Sequence, residues 1–316
     1  MGYNFNGRLG RKNNIMNTKK IIKLIISIAI GLFIGLMYGV YSFIVAIFFP
    51  EMEETLIKIP RIILIVLLSI GVVICFSIFF VSFFRELNFI KLYNNELAYI
   101  GFSEDLYNAA LKRKKRFEID KYGVGYIGSI NLLANYHLLH EQYDEAAKLL
   151  EEIDIQELKK KSKIDSANPS NDKLTTFLSL LDCLIAVYSF KGDKEKEEQI
   201  ASIFNPYYNA FIHKHENLTN ILYEAKLNDL LYHGEFTEAL SILDILKSSD
   251  ECFYNILYLD YLFYKKETDL SIIENAVSEA LNGSESSRTA AFFKEIVEQK
   301  KEFIYRNLNN DKVSEE

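Results

Sequence analysis

The histidines and cysteines are the residues of this chain whose types could perform catalysis or hold a metal ion. Zinc sites use closely spaced Cys and His ligands, and nucleophilic enzymes place Ser or Cys beside a His. The three cysteines are dispersed without a C-x-x-C pair, which suits a reducing compartment, and no H-E-x-x-H, G-x-S-x-G or P-loop motif occurs. The sequence therefore predicts no enzyme, no catalytic residue, no metal ligand and no cofactor. We expect the histidines at the surface or in a groove: His137, His140, His213, His215 and His233.

The string GVGYIG, with Gly123, Gly125 and Gly128, matches the G-x-G-x-x-G pattern of dinucleotide-binding loops. Such a loop needs a buried strand before it and a βαβ unit around it. The preceding string KRKKRFEIDKY is charged and does not have the pattern of a buried strand. We interpret the glycines as a flexible joint between helical hairpins.

Two charge-free stretches, residues 24–49 and 62–84, are long enough to cross a bilayer as helices. The first is too long for the apolar region of a signal peptide, and no small-x-small cleavage site follows it. We therefore predict a transmembrane hairpin over residues 21–84. Neither span contains an acid, His or Arg, which argues against a transporter or an intramembrane protease.

The distribution of charge predicts the orientation of this hairpin. Residues 1–20 contain bases and no acid, residues 50–61 are acidic, and bases return after residue 84. The positive-inside rule then places both ends in the cytoplasm of a plasma-membrane protein with two spans. The basic run KRKKR (112–116) either contacts anionic lipid headgroups or is only the cationic end of a helix. The region after the spans is acidic overall, and this predicts no nucleic-acid partner.

The first span carries Gly31, Gly35 and Gly39 on one helix face, as two overlapping G-x-x-x-G steps. Glycines at this spacing let another helix approach closely. The stripe predicts helix packing in the membrane, either in a homodimer or against the second span of the same hairpin.

From residue 85 onward the apolar residues recur at helical spacing, and no strand pattern occurs. Ser103 is a predicted N-cap, and breaks fall at Gly192, Gly234 and Lys266. Residues 160–172 form a predicted surface loop. We divide the chain into a basic N-terminus (1–20), the hairpin (21–84), a cytoplasmic helical domain (85–308) and a frayed tail (309–316).

Two strings in this domain share a packing pattern. In HEQYDEAAKLL, Tyr143 is followed by the small Ala146 and the large Leu150, and in HGEFTEALSIL Phe236 is followed by Ala239. This pattern resembles the second helix of the tetratricopeptide repeat, a helix-turn-helix unit of about 34 residues. A third hairpin matches in part, but Glu197 stands where the repeat has its alanine. The resemblance implies an all-α fold, with two N-terminal transmembrane helices followed by a tetratricopeptide-like α-solenoid of degenerate repeats. The composition, rich in Lys, Asn, Ile and Tyr, resembles that of low-GC bacterial proteins.

In the family that this pattern resembles, the first helix of each unit lines a groove that binds peptides or proteins. The resemblance places five residues of this chain at groove positions, where Asn side chains can hydrogen-bond a peptide backbone. The cations that would hold a terminal carboxylate are missing, which favours a basic or neutral ligand. The alternative is a solvated helix face with no ligand. The predicted groove residues are Asn131, Asn135, Asp182, Glu224 and Asn228.

Together these features predict a non-enzymatic, membrane-anchored adaptor or scaffold. Its cytoplasmic solenoid binds a protein or peptide partner, and its other partner is the lipid bilayer. The alternative is a regulatory or peptide-sensing subunit of a membrane complex, such as a transporter or a signalling system.

Overall fold

The computed structural model describes residues 53–166, 169–214, 218–285 and 287–314, together with Ile44 and Ile47. These residues are helical with no strand among them, which confirms the predicted all-α fold class. They divide between Ile90 and Lys91 into two compact units. The first predicted span (24–49) lies outside the described residues except for Ile44 and Ile47. The glycine stripe and the basic N-terminus also lie outside them.

The first unit is described through the helix α1 (Glu53–Tyr99), which continues into the second unit. The second predicted span, residues 62–84, lies within this helix. The acidic segment 50–61, predicted as a connecting loop, is helical from Glu53 onward, and acids in the first turn of a helix favour such a start. Apolar side chains that are about half exposed cover several faces of α1: Ile70, Val73, Ile74, Phe76, Ile78, Phe79, Phe80, Val81, Phe83 and Phe84.

The second unit contains the remaining helices, which follow one another with short connections. They are α2 (Glu104–Phe117), α3 (Val124–Leu139), α4 (Tyr143–Leu150), α5 (Ile155–Ser162), α6 (Asn171–Lys191), α7 (Lys194–Phe211), α8 (Thr219–Tyr232), α9 (Phe236–Ser249), α10 (Glu251–Lys265), α11 (Leu270–Ser284) and α12 (Ala290–Ser314).

Five of these helices form a row in which each packs against the next: α3, α6, α8, α10 and α12. Between them in sequence lie α4, α7, α9 and α11, and each of these packs against the row helix before it and the row helix after it. This alternation of helical pairs, each supported by its neighbours, is compatible with a solenoid.

Local sequence signals set most helix ends. The Ser103 hydroxyl accepts a hydrogen bond from the Leu106 N–H at 3.1 Å and caps α2, as predicted. The breaks at Gly192, Gly234 and Lys266 adopt positive φ angles of 69°, 73° and 57°. Glycine has no Cβ to clash in this left-handed conformation, which makes it the usual residue after a helix.

One predicted loop is wrong in its bounds. The loop predicted over residues 160–172 is shorter, because α5 ends at Ser162 and α6 begins at Asn171. Asp154 caps α5 by accepting a hydrogen bond from the Glu157 N–H at 2.9 Å, and this additional helix takes residues from the loop. The helix α12 extends to Ser314, and no Gly or Pro lies near its end. Fraying of the tail from Asn309 stays a prediction.

The last helix of the row returns to the first. The Gln299 amide of α12 donates hydrogen bonds to the Leu138 and Leu139 carbonyls at the end of α3, at 3.1 and 2.6 Å. Beside them, the Arg306 guanidinium donates to both carboxylate oxygens of Glu141. These contacts join residues about 160 positions apart in sequence and close the row on itself.

Among the described residues, length and composition single out α6 (Asn171–Lys191) as a helix that could cross a membrane. Most of its apolar window, 72%, is buried inside the structure. The core helix of a globular domain has the same properties, and α6 packs against α3, α4, α5, α7 and α8. Its burial is that of a core helix of the second unit.

Candidate functional site

The five predicted groove residues lie on three consecutive helices of the row. Asn131 and Asn135 belong to α3, Asp182 to α6, and Glu224 and Asn228 to α8. Every one of them is buried, with at most 8% of its surface exposed. These side chains are therefore not exposed to solvent, either on a free helix face or in an open groove. We call the five residues the polar seam.

Short contacts connect the polar seam from one helix to the next. The Asn135 side-chain oxygen accepts a hydrogen bond from the Cys183 thiol at 3.8 Å, which links α3 to α6. Asp182 lies beside Asn228 of α8, and the amide lowers the pKa of the carboxyl, against the larger effect of burial. The structure therefore brings together residues that are about 100 positions apart in sequence.

One polar atom of the seam, Asn131 Oδ1, is buried without a hydrogen-bond partner among the described residues. The Asp182 carboxyl and the Asn228 amide are also buried, and they interact with each other. A buried polar atom that has lost water without gaining a partner costs about 1–3 kcal/mol. These atoms present both acceptors and a donor, which is what a peptide backbone can pair with.

Burial also controls the ionisation of the seam. It raises the pKa of Asp182 to about 7, because the charged carboxylate loses its hydration. Burial raises the pKa of the Cys183 thiol well above its ordinary value, and the nearby Asp182 and Glu224 add to the effect. A thiol held in the protonated form is a poor nucleophile, so Cys183 is suited to packing rather than to catalysis.

The row continues into α10 and α12 with a buried ion pair between Asp260 and Lys300. A small recess lies beside this pair, lined by Phe190, Phe263 and Phe303. The recess has no room for a water molecule. Its aromatic walls therefore belong to the packed core and do not form a ligand cavity.

A second polar cluster, which the sequence did not predict as a site, lies between α7 and α8. Glu197 of α7 is fully buried, and its Oε2 lies 2.9 Å from His233 Nε2 at the end of α8. Asp229, one helical turn before His233, places its Oδ1 3.7 Å from the same nitrogen. Burial raises the pKa of Glu197 to about 7, although the hydrogen bond from His233 opposes this.

One sequence signal could have led to this cluster. The predicted repeat pattern expects alanine at the position of Glu197, and a buried carboxylate there requires a polar partner. His233 supplies this partner from the next helical pair, which explains why nothing adjacent to Glu197 in the sequence identified it.

No protein-family model, curated protein or solved structure matches this chain.

Proposed function

We propose that the chain is a non-enzymatic, membrane-anchored adaptor whose helical domain binds a peptide segment of a protein partner. The observation that carries the proposal is the polar seam, where amide and carboxyl groups lie buried on successive helices and Asn131 Oδ1 has no hydrogen-bond partner among the described residues. The backbone of an extended peptide offers both N–H and C=O groups, which can pair with Asn131, Asp182 and Asn228. Asp182 and Glu224 favour a basic or neutral peptide, because a second carboxylate beside them would be repelled.

Binding at a buried seam requires the row of helices to open. The contacts of Gln299 and Arg306 with the end of α3 are where the row closes on itself, and we infer that it opens there. A ligand that binds only the open row would shift the population towards it. This requirement also supports the second candidate, a peptide-sensing subunit, because opening would change the surface that the domain offers to a membrane complex.

The exposed apolar side chains of α1 support the membrane anchor. Residues 70–84 expose Ile, Val and Phe side chains on several faces of one helix, which is unfavourable in water and favourable in a bilayer. Anchoring the adaptor would confine it and its partner to the membrane surface and raise their effective concentration.

Crosslinking in native membranes, followed by identification of the captured protein, tests the proposal. The test variant is Asn135→Ala with Asn228→Ala, and the matched control is Asn108→Ala with Asn275→Ala, two exposed positions on α2 and α11. We expect recovery of the partner to fall by about tenfold or more in the test variant, as expected for loss of a few buried hydrogen bonds. The control should recover as much partner as the unmodified chain.

Equal recovery from both double variants, with circular dichroism showing that both are folded, would refute binding through the seam. If the variant with both Asn135→Ala and Asn228→Ala does not fold, the single variant Asn228→Ser is tested in its place, because serine retains a polar group. Capture of a diffusible peptide would favour the sensing subunit, whereas capture of a folded protein would favour the adaptor.

A further inference from the structure

The side chains of Glu197, Asp229 and His233 lie close enough together to share one metal ion. One potential ligand atom from each side chain lies within 4.8 Å of the other two. In a tetrahedral site with ligands about 2.1 Å from the ion, ligand atoms stand roughly 3.4 Å apart. The distances from His233 Nε2 to Glu197 Oε2 and Asp229 Oδ1, 2.9 and 3.7 Å, lie on either side of this value.

The elements that hold these side chains position them for a shared ion. Asp229 and His233 are four residues apart at the end of α8, so both lie on one face of the helix. Metal-binding helices use the same spacing for paired ligands. Glu197 approaches from the first turn of α7.

A second observation concerns Glu197 itself. Its side chain is fully buried, and its Oε1 has no hydrogen-bond partner within the described part of the chain. A buried carboxylate oxygen left in this state is costly, whereas a cation shared with Asp229 would neutralise both carboxylates.

The surrounding groups would act as an outer shell. The Lys226 ammonium lies 2.7 Å from Asp229 Oδ2 and 3.3 Å from Asn205 Oδ1. It fixes one oxygen of Asp229 and leaves Oδ1 directed towards His233. Outer-shell contacts of this kind orient the ligands of metal centres. The His233 side chain is 22% exposed, which provides a route for an ion from solvent.

We propose that Glu197, Asp229 and His233 bind a divalent transition-metal ion, with zinc as the best match to one imidazole and two carboxylates. The ion would join α7 to α8 and thereby connect two successive helical pairs of the domain. Three protein ligands leave one coordination position for water. The proposal does not depend on the polar seam or on the function assigned to it.

Titration of the purified full-length protein with Zn²⁺ tests the site. The protein is stripped with EDTA, and binding is followed by calorimetry, with the visible spectrum of Co²⁺ as a report on coordination. We expect one ion per chain and an increase in melting temperature on binding, because the ion binds the folded state. Glu197→Gln and His233→Ala should each weaken binding by about tenfold or more.

His213→Ala is the matched control, since His213 is an exposed histidine outside the cluster, and it should bind Zn²⁺ as tightly as the unmodified chain. Glu197→Gln keeps the size and hydrogen-bonding capacity of the side chain, so it remains informative if His233→Ala does not fold. The proposal is overturned if the unmodified chain binds no Zn²⁺. It is also overturned if folded Glu197→Gln binds with unchanged affinity, or if His213→Ala abolishes the binding.

Discussion

Asp182 illustrates how a single buried carboxyl connects ionisation to stability. Its side chain is 1% exposed, and burial raises its pKa from 3.8 to about 7. The folded protein therefore binds a proton at this site between about pH 4 and pH 7, whereas the unfolded chain has released it. The contribution of this group to the free energy of unfolding is fully present below pH 4. It decreases as the pH rises from about 4 to 7, and it is lost above pH 7.

We predict that Asp182→Asn removes this dependence on pH. One pKa unit corresponds to about 1.4 kcal/mol. The shift from 3.8 to about 7 therefore limits the gain in the free energy of unfolding above pH 7 to roughly 4 kcal/mol. The variant should match the unmodified protein near pH 4 and have the larger free energy of unfolding at pH 8. Urea unfolding of both proteins at several pH values measures the difference.

The exposed Asp244 on α9 provides the control for this prediction. Asp244→Asn should change stability little at any pH, because water already solvates its carboxylate. A difference between Asp182→Asn and the unmodified protein that stays constant from pH 4 to pH 8 would contradict the assigned ionisation.

At the scale of the elements, small residues determine how closely paired helices approach. Ala146 on α4 and Ala239 on α9 are completely buried, and α4 and α9 pack against their preceding row helices α3 and α8. An alanine at such a contact allows close packing, and a larger side chain would separate the helices or force strained rotamers.

Ala146→Leu is therefore expected to destabilise the domain by about 1–3 kcal/mol, the usual cost of overpacking. Glu145→Leu introduces the same side chain at an exposed position of the same helix and should have little effect on folding. Thermal unfolding of the two variants tests the difference. Equal melting temperatures for both would show that α4 is not closely packed against its neighbours.

The helices were predictable to the extent that their signals are local. Ser103 marked the start of α2, and Gly192 and Gly234 marked helix ends, because capping and positive φ depend on a few adjacent residues. The pattern of Tyr143 and Ala146 likewise identified a helix with one buried face. The short helix α5 was missed because it contains only two apolar residues, Ile155 and Leu158, although Asp154 caps it.

The arrangement of the second unit as a whole depends on contacts that no local pattern contains. Gln299 hydrogen-bonds to carbonyls of α3, about 160 residues earlier in the chain. The residues of α3, α6 and α8 that the sequence predicted to line a groove are buried, and no local pattern predicted that burial. Glu197 and His233 likewise meet only because α7 packs on α8.

The largest-scale prediction concerns the sides of the membrane on which parts of the chain lie. The acidic segment 50–61 and the basic regions on either side of the spans predict that Glu53 is outside and Glu145 is in the cytoplasm. We expect Glu53→Cys to react with a membrane-impermeant maleimide in intact cells and Glu145→Cys to react only after permeabilisation.

Both substitutions are introduced into a chain in which Cys75, Cys183 and Cys252 are replaced, and a gel shift reports the labelling. Reaction of Glu145→Cys after permeabilisation is the control for its accessibility. Labelling of Glu145→Cys in intact cells would contradict a cytoplasmic helical domain, and with it the proposal that the polar seam meets a cytoplasmic partner.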